Sequence, residues 1–148
     1  MTKPKVVIFD YGNVLDIPDD WDAWYQYRER LANEHGMTGQ ALWDAVYYSE
    51  PWQQVKRGKI SEQEYWKTVC VPLGYQTEAE QVAFRQRLWA GRDRIHPQML
   101  TLLQTLRPHY RLAILSNAYQ WDMATWLADE RNVPGMFDTV ISSARVGM

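Results

Sequence analysis

The chain has one cysteine, Cys70, in 148 residues. A lone cysteine excludes an intrachain disulfide and a cysteine zinc site. The three histidines, His35, His96 and His109, lack the spacing of metal ligands. Long hydrophobic runs are missing as well, and no stretch approaches the ~18 apolar residues of a membrane span. Neither charge dominates: 16 basic residues against 18 acidic ones leave a net charge of −2. A nucleic-acid platform would carry a basic stripe. Arg85, Arg87, Arg92 and Arg94 are too scattered to make one and read as a solvated face. The apolar run after Lys3 and Lys5 extends only from Val6 to Phe9, too short for a signal peptide. The expectation is a cytoplasmic protein that binds neither nucleic acid nor membrane. There is no repeat and no low-complexity linker.

Hydrophobic residues make up 46% and charged ones 23%, which excludes a disordered chain. The length fits a single domain with a real core. Tryptophan is the excess: there are eight, six of them between Trp21 and Trp89. The chain is therefore divided in composition.

Three short apolar runs read as strands of a parallel sheet covered on both faces. They are Val6–Phe9 ending at Asp10, Leu112–Leu115 ending at Ser116 and Asn117, and Thr139–Ile141 ending at Ser142 and Ser143. Between the first two, residues 17–91 read as a four-helix insertion. Asp20 caps a helix with Trp21, Trp24, Tyr25, Leu31 and Ala32 on one face, and Thr38 starts another with Leu42, Trp43, Val46 and Tyr47. Ser61–Glu64 and Thr77–Glu80 are capping boxes that open two more. Pro97 suits the first turn of a further helix that Pro108 stops, and residues 121–130 form the last. The aromatic residues of the insertion read as packing, with a few facing a site. Cys70 reads as core, and His96 as a helix start.

Asp10 stands at the carboxyl end of a strand, before the turn Tyr11-Gly12-Asn13. A carboxylate there can be a nucleophile or a metal ligand, although a capping Asp fits as well. Gly12 allows close backbone approach or a positive φ. Ser116 and Asn117 can hold a phosphate together with backbone N–H groups at a helix start, although taken alone the pair favours an ordinary strand-to-helix turn with a helix cap. Taken together the two are more specific, because parallel strands bring both ends to one side.

These residues, with the helical insertion between them, resemble the haloacid dehalogenase-like (HAD) hydrolase superfamily. The turn Lys56-Arg57-Gly58-Lys59-Ile60-Ser61 resembles a stretch of its helical cap, and Phe137–Ser143 its third core strand. The nearest subgroup looks like sugar-phosphate phosphatases and the phosphatase domains of epoxide hydrolases. The resemblance implies an α/β Rossmannoid core over 1–16 and 92–148, with a cap over 17–91. It implies a Mg²⁺-dependent phosphatase of a small phosphomonoester. Asp10 would be the nucleophile and, with the Gly12 carbonyl, a metal ligand. Gly12, Asn13, Ser116 and Asn117 would bind the phosphoryl group.

Two departures qualify that picture. The family's second Asp, two residues after the nucleophile, is Gly12 here. General acid–base help worth typically ~10²–10⁴-fold must come from elsewhere, and Asp16 is a substitute to weigh against a solvated loop residue. The family's lysine and acidic residues would follow the third strand, where this sequence reads Arg145-Val146-Gly147-Met148. The resemblance thus implies a C-terminally truncated core of three strands. About 60 residues, two further strand–helix units, would be missing, and the strand bearing Asp10 would have an unpaired edge. Two other expectations stand beside the phosphatase: a dehalogenase working without Mg²⁺, and a catalytically incomplete fragment or binding module.

Overall fold

The computed structural model describes residues 5–147. Residues 1–4 and 148, assigned above to the core, lie outside the described residues. Three parallel strands, β1 (Val6–Phe9), β2 (Arg111–Ser116) and β3 (Thr139–Ser142), form an open sheet in the order β1-β2-β3. Among the described residues β1 is one edge. The register pairs Phe9 with Ile114 and Ser116 with Ser142, so the carboxyl ends of all three strands lie together.

One face of the sheet is packed. Phe9, Leu112 and Ile114 join Leu103 of α6 (Pro97–Leu106) and Met123 and Leu127 of α7 (Met123–Arg131) in one apolar cluster. Each such side chain contributes ~1.5–3 kcal/mol on burial. The other face is open among the described residues: Ile8 is 63% exposed and Leu115 48%. The expectation of cover on both faces is therefore met on one face only. Alternation along β2 explains why, since successive side chains point to opposite sides.

Between β1 and α6 lie five α-helices, one more than the spacing predicts. They are α1 (Trp21–Asn33), α2 (Gly39–Tyr47), α3 (Glu50–Val55), α4 (Glu62–Cys70) and α5 (Glu78–Leu88). The extra one, α3, is six residues long with Pro51 in its first turn. Asp20 and Thr38 cap α1 and α2, and both capping boxes form at Ser61 and Thr77. These helices close around a second apolar cluster centred on Val46, Tyr65, Trp66, Cys70 and Phe84. Cys70 is fully buried, and burial pushes its thiol up to about 11. One member comes from outside the insertion: Tyr119, in the loop after β2.

His96 caps α6, with Nδ1 accepting from the Gln98 amide at 3.3 Å. Asp122 caps α7, so this helix starts two residues later than residue 121. A one-turn helix, α8 (Ser143–Val146), follows β3. No helix among the described residues is long and apolar enough to cross a membrane.

Candidate functional site

A cavity of about 470 Å³ opens at the carboxyl ends of β1 and β2, between the sheet and the inserted helices. The residues singled out from the sequence, Asp10, Gly12, Asn13, Ser116 and Asn117, all line it. Parallel register is the cause: it carries residues more than 100 positions apart in the chain to one end of the sheet.

After β1 the chain makes a compact turn. The amides of Val14 and Leu15 donate to the Tyr11 carbonyl at 3.2 and 2.9 Å. Asp10 Oδ1 accepts from the Tyr11 amide at 2.6 Å, while Oδ2 accepts no hydrogen bond from the described residues. The positive φ of this turn belongs to Asn13, at 60°, and not to Gly12. A β-carbon at Gly12 would meet nothing within 4 Å, so the glycine leaves space rather than relieving strain. The Gly12 carbonyl accepts no hydrogen bond from the described residues.

Asp16 is neither solvated nor a free acid. It is 2% exposed and paired with Arg92, whose Nη2 donates to Oδ1 at 2.7 Å. Burial pushes its carboxyl above the ordinary carboxylate range, and Arg92 opposes that rise. Arg92, read above as part of a solvated face, is likewise 2% exposed. Three indole rings surround it, which a count of charges along the sequence does not reveal.

Ser116 is 8% exposed, and Asn117 is exposed at the cavity. The loop they open is held from β3: Ser142 Oγ donates to the Gln120 carbonyl at 2.7 Å, and the Ala144 amide to the Ala118 carbonyl at 3.3 Å. Helix α7 begins six residues after Asn117, so a phosphate here would meet loop amides and not a helix N-terminus.

The opposite wall comes from the insertion: Trp43, Tyr47, Trp52, Trp89 and Lys56. Tyr47 packs edge-on to Trp52 and Trp89, with centroids at 5.2 and 5.6 Å. Its hydroxyl is shielded from solvent without a partner among the described residues, and burial raises its pKa well above the ordinary phenol value. No carboxylate of the described residues lies within ion-pair distance of Lys56. Arg131 also lines the cavity. It donates to the Tyr11 hydroxyl at 3.0 Å and lies over Trp126, while burial pushes the Tyr11 phenol up to about 12. The sequence singles out Lys56 only as part of a cap turn and gives no sign of Tyr119 or Arg131; all three reach the cavity through tertiary packing.

Mg²⁺ is a hard cation that takes oxygen ligands and keeps several waters. The Asp10 carboxylate and the unbonded Gly12 carbonyl match that donor chemistry. Among the described residues no cluster of three or more His, Cys, Asp or Glu stands ready for a metal, so water and substrate oxygens would complete the shell.

No family model matches the chain, and no curated protein matches it. Solved structures do. A predicted HAD-like family hydrolase from Porphyromonas gingivalis superposes with a TM-score of 0.63 at 23% identity, covering 97% of this chain and 68% of that one. A HAD family enzyme from Bacteroides thetaiotaomicron, in complex with magnesium and inorganic phosphate, gives 0.66 at 18% identity, with 99% and 72% covered. A 2-haloacid dehalogenase from Pseudomonas syringae pv. tomato gives 0.52 at 15% identity, with 99% and 66% covered. At these identities the likeness speaks for the fold.

Proposed function

We propose that this chain, which has the fold of HAD-like hydrolases, is a Mg²⁺-dependent phosphatase of a small phosphomonoester, with Asp10 as its nucleophile. One observation carries this reading: a carboxylate oxygen without a hydrogen-bond partner shares a cavity with the Ser116 hydroxyl and the Asn117 amide. The magnesium and phosphate bound by the Bacteroides enzyme support it.

In this reading Asp10 Oδ2 attacks phosphorus in line and the ester P–O bond breaks, leaving an aspartyl-phosphate and an alcohol. Water then attacks that phosphorus, releasing phosphate and restoring the carboxylate. Ser116 and Asn117 donate to phosphoryl oxygens and hold them in line. With no side chain at Gly12 and Asp16 engaged by Arg92, the proton for the leaving group comes from solvent. Mg²⁺, held by Asp10 and the Gly12 carbonyl, would offset a repulsion of ~4 kcal/mol between unit charges ~4 Å apart at an effective dielectric of about 20.

Residues 17–91 serve as a cap on a core of 1–16 and 92–148. The cap's aromatic wall selects the leaving group, and its closure excludes water. The test is a phosphomonoester panel with Mg²⁺. Wild type is expected to turn over and to trap a phosphoenzyme, and Asp10→Asn to do neither. Dehalogenation of a 2-haloacid in excess chelator would favour the dehalogenase instead. Absence of both Mg²⁺ binding and turnover would favour a binding module.

A further inference from the structure

Residue 16 lies where the chain leaves the sheet for the inserted helices, and residue 92 where it comes back. These two linkers run side by side. The His96 amide donates to the Leu15 carbonyl at 2.8 Å, and Arg94 pairs with Asp19 at 2.7 Å. Deeper than both is the Asp16–Arg92 pair. Arg92 grips Asp16 twice, with Nε donating to the backbone carbonyl at 2.8 Å and Nη2 to Oδ1 at 2.7 Å. The same Oδ1 accepts the Asn13 amide at 2.7 Å, fixing the left-handed residue of the turn that follows Asp10. On its other side the Arg92 guanidinium lies against Trp24 of α1 at 4.9 Å, Trp89 at 5.5 Å and Trp21 at 6.0 Å.

A chain of contacts therefore runs from the indoles of the insertion, through Arg92 and Asp16, to the Asn13 amide. A guanidinium between aromatic faces and a carboxylate has one favourable orientation, because its fork is planar and its faces attract π-systems. A shift of α1 against the sheet would move Trp21 and Trp24, and Arg92 would then either break its fork or drag Asp16 along. Chains of packed side chains and hydrogen bonds carry such coupling between sites.

We infer that Asp16 and Arg92 are positioning residues for the reaction proposed at Asp10: the pair makes the setting of the Asp10 turn depend on the seating of the inserted helices. It needs no contact with substrate. It rests on the phosphatase reading only for its effect on turnover, because the structural coupling exists without substrate.

The experiment is hydrogen exchange on the full chain without substrate, alongside Mg²⁺-dependent hydrolysis of p-nitrophenyl phosphate. Arg92→Met is expected to raise exchange at least tenfold at residues 12–16, which Arg92 does not adjoin in sequence. It is also expected to lower kcat at least tenfold while KM stays within threefold. Asp16→Asn keeps the volume but weakens the grip, and should give the same pattern. Arg92→Lys should recover part of both effects, and stands in for Arg92→Met if that variant does not fold. Asp19→Asn weakens only the outer contacts with Arg94 and His96 and should change neither readout. Faster exchange confined to residues 89–96 and the inserted helices, with the Asn13 amide unchanged, would overturn the coupling. So would an unchanged kcat in folded Arg92→Met. If wild type hydrolyses no phosphomonoester, the reaction assignment fails while the exchange result still decides the coupling.

Discussion

At Gly58, with φ of +66°, a β-carbon would run into the Ala144 carbonyl and come within 3.2 Å of the Trp121 ring. Gly58 lies in the turn after α3, and Ala144 in α8, so this is where the inserted helices touch the segment after β3. Gly58→Ala is expected to destabilise by ~1–3 kcal/mol through overpacking and the unfavourable φ, read as a lower urea midpoint at constant m-value. Gly12 is the contrast. Its surroundings are open and its φ is ordinary. Gly12→Asp should fold with a melting temperature near that of wild type. By supplying the absent proton donor, it should raise kcat for phosphate esters, with ~10²–10⁴-fold as the scale of such help.

Among the elements, the inserted helices depend on their caps. In α4 and α5 the Glu64 and Glu80 carboxyls are held below the usual range by the hydrogen bonds of Ser61 and Thr77. A carboxylate whose folded pKa is depressed contributes stability above its unfolded value of ~4.3 and loses it as pH falls through the folded value. The urea midpoint should therefore drop below about pH 4.3, and Glu64→Gln with Glu80→Gln should flatten that drop. Ser61→Ala should cost ~1 kcal/mol. These boxes were legible in the sequence because a capping box is a local pattern four residues long. So was the convergence of Asp10 with Ser116 and Asn117, since strand ends and parallel order suffice to predict it. Helix α3 was not legible: its six residues are less than two turns, and Pro51 reads as a breaker unless it is known to stand in a first turn. The Asp16–Arg92 pair was hidden for another reason. Charged residues default to solvent, and only the fold brings these two together across 76 positions. Indoles near both linkers, Trp21 and Trp24 after Asp16 and Trp89 before Arg92, were the available sign.

For the molecule as a whole, one side chain from outside the insertion is built into the insertion's apolar cluster. Tyr119 leaves the loop after β2 and joins the cluster of the insertion, against Tyr65 and Trp66 at 5.9 and 5.5 Å. Burial raises its phenol well above the ordinary value. Tyr119→Ala is expected to cost ~3–5 kcal/mol, the scale for truncating a buried aromatic. It should also make tryptophan fluorescence, reporting mainly on the insertion, melt before the far-ultraviolet signal of the whole chain. Coincident transitions would show that the two clusters unfold as one despite the loss. The adjacency of the two linkers has a consequence for the history open to such a chain. A segment that departs and returns at one place is a closed loop, and closing a loop twice as long costs only about 0.6 kcal/mol more. The inserted helices can therefore lengthen, shrink or be exchanged while the sheet keeps its register, provided the indoles that seat Arg92 against Asp16 are kept. Variation in the insertion is thus tolerated everywhere except at the linkers that join it to the sheet.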